Sequence, residues 1–348
     1  MFSLLLAHPY ASVVFFLLSS VILLAVVAFF LLHRVVSSPP PSGGTPCTLP
    51  NGLRIQQWQQ SETDFLFTEI WGAESAYSRT WPGGGLVFRR GATILDAGAN
   101  IGMFSLYAAK MCGGDARIIS FEPIPQTFAV LEENARAASA GEMDNVLLGH
   151  GVRSGRIRFE AVPVGLSSGP ADVDFASHPH FSIWSTQDTA FAEARVERIT
   201  ADLPRALDTH ESWLVRACFP RALARYAAGY VLRGKLGVTR SVRVRLETLS
   251  SVISARTGLD EIDFLKVDVE GAEVDVLMGI NAEHWTRIQQ VALEVENFKA
   301  KDTVLGILRE KGFDNLHWFA SEQERNKGVQ SQVRRVYPLP PPPLAQRR

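Results

Sequence analysis

The chain has 348 residues, of which 46% are hydrophobic, and a formal net charge of −1 at pH 7. This length suits one large α/β domain with attachments, although two domains remain possible. The near-neutral charge gives no global indication of nucleic-acid binding. The three cysteines, Cys47, Cys112 and Cys218, cannot form a disulfide framework and lack metal-ligand spacing. The eight histidines show no metal spacing either, so we expect no metal site.

The N-terminal region contains an uncharged, apolar stretch from Ala11 to Leu32. As a helix rising about 1.5 Å per residue, it is long enough to span a hydrocarbon core of ~30 Å. A cleaved signal peptide would have a shorter apolar core of ~7–15 residues after a basic start. We therefore expect residues 1–33 to be a single-pass membrane anchor. Arg34, with His33 beside it, follows the stretch, and this Lys/Arg bias predicts that the bulk of the chain lies in the cytosol.

Composition divides the rest of the chain into a tether, a folded domain and a tail. Residues 34–60 are rich in Pro, Gly and Ser, which predicts a tether without core-forming capacity. The folded domain is expected over residues 61–337. Residues 338–348 form a Pro-rich tail that we expect to be disordered.

Within the folded domain, residues 178–245 fit no repeating βα unit and are interpreted as an insertion. Its segment from Ser212 to Leu246 contains eight Lys or Arg and no Asp or Glu, with aromatic residues interleaved. This composition is compatible with RNA binding, with a membrane surface or with an ordinary solvated face. The predicted anchor favours the membrane surface.

The chemistry is concentrated between Thr93 and Pro123, which reads as strand, glycine turn, helix and strand. Residues 93–95 are apolar and suit a buried parallel strand that closes at Asp96. Gly98 and Gly102 bracket a turn, and a helical pattern runs from Met103 to Met111. A second buried strand over residues 118–121 ends at Glu122. Because ligands bind beyond the carboxyl ends of parallel strands, Asp96 and Glu122 are candidate ligand-binding residues.

Two nucleotide-type cofactors could use this geometry. A dinucleotide site needs a middle glycine for close approach of the pyrophosphate, and here that position is Asn100. S-adenosylmethionine has no pyrophosphate; Asp96 could attract its ammonium group, and Glu122 could accept hydrogen bonds from its ribose diol. The sequence therefore favours S-adenosylmethionine, bound by Asp96, Gly98, Asn100, Gly102 and Glu122. We expect Gly98→Val to abolish binding sterically while leaving the fold largely intact.

Further strands are predicted later in the chain. One of residues 145–148 and 157–164 should be the third parallel strand, and residues 262–269 the next. Asp268 and Glu270, two apart on an extended segment, could point to the same side, and Glu273 lies one helical turn further. These three are the candidate catalytic carboxylates, although at least one should cap the helix that follows. Trp71, in the region before the first strand, could lie near a sulfonium, but such an aromatic more often packs against the sheet.

Four motifs carry a resemblance to a known family: ILDAGANIGMFSL, ISFEPIPQTFAVLEEN, RLETLSSVI and IDFLKVDVEGAEVDVLMGI. Together they resemble the FkbM family of S-adenosylmethionine-dependent methyltransferases over roughly Glu74 to Gly312. The resemblance implies a Rossmann-like methyltransferase fold, with a mostly parallel sheet flanked by helices. It also implies methyl transfer to oxygen, on hydroxyl groups of sugars or polyketide-type small molecules.

The main hypothesis is therefore a membrane-anchored O-methyltransferase acting on a small-molecule, sugar or lipid-like hydroxyl. Asp268 is the first choice for the base or substrate orienter and Glu270 the second; a positioned base contributes about 10²–10⁴-fold to a reaction rate. Two alternatives remain: a catalytically inactive domain that binds S-adenosylmethionine or a partner, and an RNA methyltransferase that uses the basic segment.

Overall fold

The computed structural model describes residues 43–72, 75, 77, 80–81, 84–149, 156–177, 230, 234, 240–295, 300–313, 316–320 and 334–338. Their secondary-structure elements fall within a unit of Pro41–Thr189 and Arg240–Arg348. The other unit, Met1–Pro40 with Ala190–Thr239, lies outside the described residues except for Tyr230 and Gly234.

The described elements alternate between strands and helices through most of the unit. In chain order, the strands are β1 (Thr45–Thr48), β2 (Arg54–Gln57), β3 (Thr80–Trp81), β4 (Gly84–Gly85), β5 (Ala92–Ala97), β6 (Asp115–Phe121), β7 (Arg156–Val162), β8 (Gly165–Leu166), β9 (Ala171–Ser177), β10 (Arg240–Glu247), β11 (Phe264–Val267), β12 (Val291–Val295), β13 (Leu316–Ala320) and β14 (Arg334–Pro338). The helices are α1 (Gln60–Trp71), α2 (Met103–Met111), α3 (Pro125–Ser139), α4 (Asp144–Leu147), α5 (Leu249–Ser254), α6 (Glu273–Met278), α7 (Ala282–Trp285) and α8 (Ala300–Glu310).

The main sheet has seven strands in the order β13-β14-β12-β11-β5-β6-β7. The strands from β12 to β7 are parallel, whereas β14 runs antiparallel to both of its neighbours. Strands β5, β6 and β11 are buried on both faces because one apolar cluster packs on each side. The first cluster includes Phe104 and Leu131 from α2 and α3, and the second includes Val276 and Leu308 from α6 and α8. The expectation of an α/β fold with a mostly parallel sheet is confirmed.

The local predictions around the glycine turn agree closely with the structure. Helix α2 covers Met103–Met111 and ends before Gly113 and Gly114, which both have positive φ. Pro125 is the first residue of α3, where its fixed φ suits a helix start. Residues 156–162 form the third parallel strand, β7, beside β6. The alternative strand over residues 145–148 is wrong, because residues 144–147 form helix α4 with Leu147 buried against the core.

The predicted tether of residues 34–60 is wrong from Thr45 onward. Strands β1 and β2 form an antiparallel hairpin in which Thr45 pairs with Gln57. Leu49, Leu53 and Ile55 are buried in the main core despite the Pro-rich and Gly-rich context. Burial of these three apolar side chains provides the stabilisation that composition alone did not reveal.

The C-terminal boundary predicted for the insertion, residue 245, is wrong, because the sheet resumes before that residue. Strand β10 begins at Arg240, which pairs with Ser177 at the end of β9, in a three-stranded sheet of order β8-β10-β9. Two cations of the basic segment Ser212–Leu246 therefore have acidic partners in the described structure. Arg243 lies 3.3 Å from Asp174, and the Nε of Arg245 donates to Glu247 at 2.8 Å.

The predicted membrane anchor at residues 11–32 and most of the predicted insertion lie outside the described residues, as does the tail from residue 339 onward. Among the helices that the structure describes, none is long and apolar enough to cross a membrane. The anchor stays a prediction from sequence.

Candidate active site

The carboxyl ends of β5, β6 and β11 meet at one edge of the main sheet. Ala97 is the register partner of both Phe121 in β6 and Val267 in β11. The residues that follow these strands, Gly98, Glu122 and Asp268, are therefore neighbours. The sequence placed its candidate cofactor and catalytic residues at this edge, and the structure brings them together.

The glycine turn between β5 and α2 is held closely against neighbouring elements. Gly98 has a φ of +75°, and a Cβ built on it would lie 1.8 Å from the carbonyl oxygen of Asp268. Gly102 has a φ of +87°, and its Cβ would lie 2.9 Å from Leu131 Cδ1. Both glycines are thus needed for packing inside the protein. The expectation that the fold tolerates a bulkier residue at Gly98 is wrong, because that side chain would collide with the backbone after β11.

The N–H groups of the turn are all used within the protein. Those of Gly98 and Ala99 donate to the Phe121 carbonyl at 3.1 and 3.0 Å, and that of Gly102 donates to the Ala99 carbonyl at 2.8 Å. The Asn100 N–H donates to Glu122 Oε2 at 3.1 Å. The Ile101 N–H donates to the Asn100 side-chain oxygen at 2.7 Å, which fits the positive φ of Asn100, +50°. A pyrophosphate bound here would find none of these donors available.

Glu122 is buried directly after β6. Its Oε1 accepts a hydrogen bond from the Ile124 N–H at 3.0 Å, and its Oε2 accepts the one from Asn100. Burial raises the pKa of Glu122 from 4.5 to about 7, although both N–H donors and the Lys266 ammonium oppose the shift. A carboxylate has about four lone-pair sites, so two accepted hydrogen bonds leave capacity for a diol.

Asp96 is fully buried, and its carboxylate is engaged by protein groups. Its Oδ1 lies 3.2 Å from the ammonium nitrogen of Lys266, and its Oδ2 accepts a hydrogen bond from the Ser105 hydroxyl at 2.7 Å. The Ser105 hydroxyl is also 2.7 Å from that of Ser120. The structure therefore gives Asp96 a cationic partner, Lys266, that was not part of the sequence-based assignment.

Lys266, near the end of β11, is the residue that sequence reasoning missed. Its ammonium lies 3.3 Å from Asp268 Oδ2 and donates a hydrogen bond to the Gly98 carbonyl at 2.9 Å. Asp96 and Asp268 together raise the pKa of Lys266, outweighing burial, which acts in the opposite direction. A lysine within the apolar run IDFLKV was the available signal, because a charge in a doubly buried strand requires a partner.

The three candidate catalytic carboxylates have different surroundings. Asp268 follows β11 directly, and its side chain is 31% exposed. Glu270 has a φ of +52°, so the segment after β11 is a turn and the argument from an extended segment is wrong. Glu273 is fully buried, and its Oε1 accepts a hydrogen bond from the Gly271 N–H at 2.8 Å, just before α6. Glu273 lies in the first turn of α6, but that helix has no side-chain cap hydrogen bond at its N-terminus, so the expected capping role stays a prediction. Asp268 is the partly exposed acid that directly follows β11.

The aromatic residues before β5 pack within the core. The ring centroid of Trp71 lies 5.5 Å from that of Tyr107, and Tyr77 lies 4.7 Å from Phe104. The Trp71 ring also faces the Lys110 ammonium at 5.3 Å. These contacts agree with the packing interpretation of Trp71.

Comparison with known proteins identifies the family. The profile described as "Methyltransferase FkbM domain" matches residues 96–314, from Asp96 in β5 to the segment after α8. The chain belongs to the FkbM methyltransferase family. The resemblance in the four sequence motifs is therefore confirmed, and the matched region contains the glycine turn, Glu122, Lys266 and Asp268.

Two curated relatives have similar levels of identity but very different lengths. The 31-O-demethyl-FK506 methyltransferase FkbM of Streptomyces tacrolimicus is 30% identical over 267 residues, which are 76% of this chain and 87% of the relative. The AMB antimetabolite synthetase AmbE of Pseudomonas aeruginosa is 30% identical over 272 residues, which are 76% of this chain but only 11% of AmbE. The FkbM domain thus also occurs within a much longer protein.

A further comparison is with the crystal structure of a SAM-dependent O-methyltransferase from Thermotoga maritima. The matched region covers 88% of this chain and 79% of the Thermotoga chain. It is 13% identical with a TM-score of 0.32, which is too low to support an argument. The strand order and the family match carry the fold assignment instead.

Proposed function

We propose that the chain is an S-adenosylmethionine-dependent O-methyltransferase that acts on a hydroxyl group of a small-molecule, sugar or lipid-like acceptor. The observation that carries this proposal is the combination of Glu122 at the end of β6 with a glycine turn whose N–H groups are all engaged. A carboxylate with unused acceptor capacity suits a ribose diol, and a turn without available donors suits a cofactor that has no pyrophosphate.

The residues at the strand ends fit the cofactor in distinct ways. Glu122 would accept hydrogen bonds from the ribose hydroxyls, and the Gly98–Gly102 turn, which follows β5, would hold the cofactor at the strand end. Asn100 contributes through its backbone, because its positive φ directs its N–H to Glu122. The buried pair with Lys266 balances the charge of Asp96, so we assign Asp96 to holding Lys266 at the site rather than to attracting the ammonium group of the cofactor.

When bound, S-adenosylmethionine supplies a methyl group on a positively charged sulfur. Transfer to a hydroxyl oxygen forms the O–CH₃ bond and breaks the S–CH₃ bond, whose electron pair stays on sulfur, while the hydroxyl releases its proton. Asp268 is the proposed acceptor of that proton or orienter of that hydroxyl, because it is the partly exposed carboxylate at the end of β11. A base in this position is worth about 10²–10⁴-fold in rate.

Transfer to oxygen is supported by the Streptomyces relative, whose name describes the substrate as an O-demethylated compound. The membrane part of the proposal rests on the uncharged stretch of residues 11–32 and on the basic segment Ser212–Leu246. An anchor there would hold the domain on the cytosolic face of a membrane and favour an amphiphilic acceptor.

The first test is cofactor binding by the full chain in detergent micelles. Calorimetry should detect binding of S-adenosylhomocysteine and no comparable binding of NAD. Preference for NAD would overturn the proposal.

The second test is methyl transfer to an acceptor pool. The full chain is incubated with a lipid and small-molecule extract and tritiated S-adenosylmethionine, and the labelled product is analysed by mass spectrometry. A methyl ether is expected. Binding of the cofactor without transfer to any extract would indicate a binding domain without turnover, and labelled RNA would indicate the nucleic-acid alternative.

A further inference from the structure

We propose that Lys266 is a positioning residue of the transfer step, which it serves by orienting Asp268. This inference rests on the proposed function, because it assigns Lys266 a role in that same site. The ammonium of Lys266 restrains Oδ2 of Asp268 and simultaneously holds the Gly98 carbonyl, so it links the glycine turn to the catalytic carboxylate.

The position of Lys266 in the fold makes this role specific. It lies in β11 between Leu265 and Val267, which are both fully buried, and is itself only 4% exposed. Its ammonium lies over the Phe104 ring, 5.9 Å from the ring centroid. A flexible four-carbon side chain is thereby confined, and its charge is presented at the strand end.

Asp96 compensates the charge of Lys266. An unpaired ammonium at this depth would be strongly destabilising, and removing one member of a buried pair has a comparable effect. Asp96 lies 3.2 Å from the ammonium and is fixed on its other side by the Ser105 hydroxyl. We therefore interpret Asp96 as the counter-ion of the positioning lysine.

The effect on Asp268 follows from the contrast between the two partners. The Asp96 carboxylate is fully buried and fixed, whereas the Asp268 side chain is 31% exposed and follows the last residue of β11. The ion pair restricts the rotation of this exposed carboxylate. A base acts efficiently when its orientation is fixed before the acceptor binds. Fixing that orientation is the contribution that we expect of Lys266 as a positioning residue.

A merely structural lysine would neutralise Asp96 and have no influence on the transfer step. The two roles are separated by a neutral replacement of the pair, Asp96→Asn with Lys266→Met, which removes both charges and keeps similar side-chain volumes. Asp268→Asn is the matched control, since it removes the carboxylate while leaving the buried pair intact. A variant with all three changes completes a double-mutant cycle, which measures the coupling between the buried pair and Asp268.

The experiment uses the full chain in micelles, S-adenosylhomocysteine as the binding probe, and a fixed extract as the acceptor pool with tritiated methyl donor. In the pair variant we expect the rate at saturating donor to fall about 10–100-fold, since a misplaced catalytic group costs up to about 10²-fold. The donor KM and the S-adenosylhomocysteine affinity should change only a few-fold, because the turn keeps the hydrogen bonds of its N–H groups. Adding the pair changes to the Asp268→Asn variant should cause little further loss, because Lys266 acts only through the Asp268 carboxylate.

The inference is overturned if the pair variant keeps the wild-type rate, or if the pair and Asp268→Asn reduce the rate by independent factors that multiply. Folding of each variant is checked by its thermal unfolding curve. If the pair variant is unfolded, Asp96→Asn with Lys266→Gln takes its place, since it also removes both charges while the amide keeps a donor near the Gly98 carbonyl, and the same two outcomes apply. Failure of the wild type to bind S-adenosylhomocysteine contradicts the proposed function itself, and binding without any transfer contradicts both.

Discussion

Replacing Glu122 by Gln should make the free energy of unfolding less dependent on pH. Burial raises the pKa of Glu122 to about 7, from an ordinary value of 4.5. In the folded protein the carboxyl group is therefore still protonated at pH values where it has already ionised in the unfolded chain. Its contribution to stability is complete below pH 4.5 and is lost as the pH rises through 7.

The size of this loss follows from the two pKa values. Their difference, from 4.5 to about 7, corresponds to about 3 kcal/mol at 1.36 kcal/mol per tenfold change in affinity for the proton. Gln cannot ionise, so the variant lacks this pH-dependent loss. Its carboxamide can accept only one of the two hydrogen bonds donated by Asn100 and Ile124, which costs about 1–3 kcal/mol at low pH.

The measurement is urea unfolding of both proteins at pH 5, 6, 7 and 8 without cofactor. We expect the wild type to be the more stable protein at pH 5 and to lose that advantage by pH 8. The affinity of the wild type for S-adenosylhomocysteine should also rise about tenfold between pH 6 and 8, because only the ionised carboxylate has its full acceptor capacity. Parallel stability profiles of the two proteins across this range would refute the reasoning.

Three further predictions concern the packing of the turn and the exposed carboxylate. Gly98→Ala should destabilise the fold by about 3 kcal/mol or more in urea unfolding, through its positive φ and the clash with the backbone of Asp268; unchanged stability would contradict this. Asp268→Asn should lower the transfer rate about 10²-fold or more with S-adenosylhomocysteine affinity little changed, as measured with labelled donor and by calorimetry; an unaltered rate would move the role to Glu270. Asn134→Ala should cost about 3 kcal/mol in thermal unfolding, because this buried amide bonds both β2 and the Ile101 carbonyl; a loss below about 1 kcal/mol would show that the hairpin does not depend on it.

Local patterns predicted the strand, turn and helix around the cofactor site because each element is specified by nearby residues. The apolar run before Asp96, the helical spacing from Met103 to Met111 and Pro125 at a helix start act within a few residues of chain. Apolar runs later in the chain predicted β7 and β11 in the same way.

The N-terminal hairpin could not be predicted from composition because its stability comes from distant contacts. Asn134 of α3 accepts a hydrogen bond from the Gln56 N–H at 2.7 Å and donates to the Gln56 and Ile101 carbonyls, both at 2.9 Å. One buried side chain, 78 residues from Gln56 in the sequence, thus joins β2 to the glycine turn. A Pro-rich and Gly-rich segment becomes ordered when such partners are provided elsewhere in the chain.

The pairing of charged groups in the candidate site also depends on contacts between distant residues, which the sequence does not show. Asp96 and Asp268 were assigned from their positions after apolar runs, and those positions are confirmed by the strand register. Position alone could not show that one carboxylate is buried against Lys266 while the other is partly exposed. That difference arises because side chains alternate along β11, so Lys266 and Asp268 lie on the same side of the chain and Asp96 reaches the ammonium from the neighbouring strand. A lysine two residues before a strand-end carboxylate is therefore a signal worth following in this fold, since it indicates which acid is held in place and which acid serves as the counter-ion.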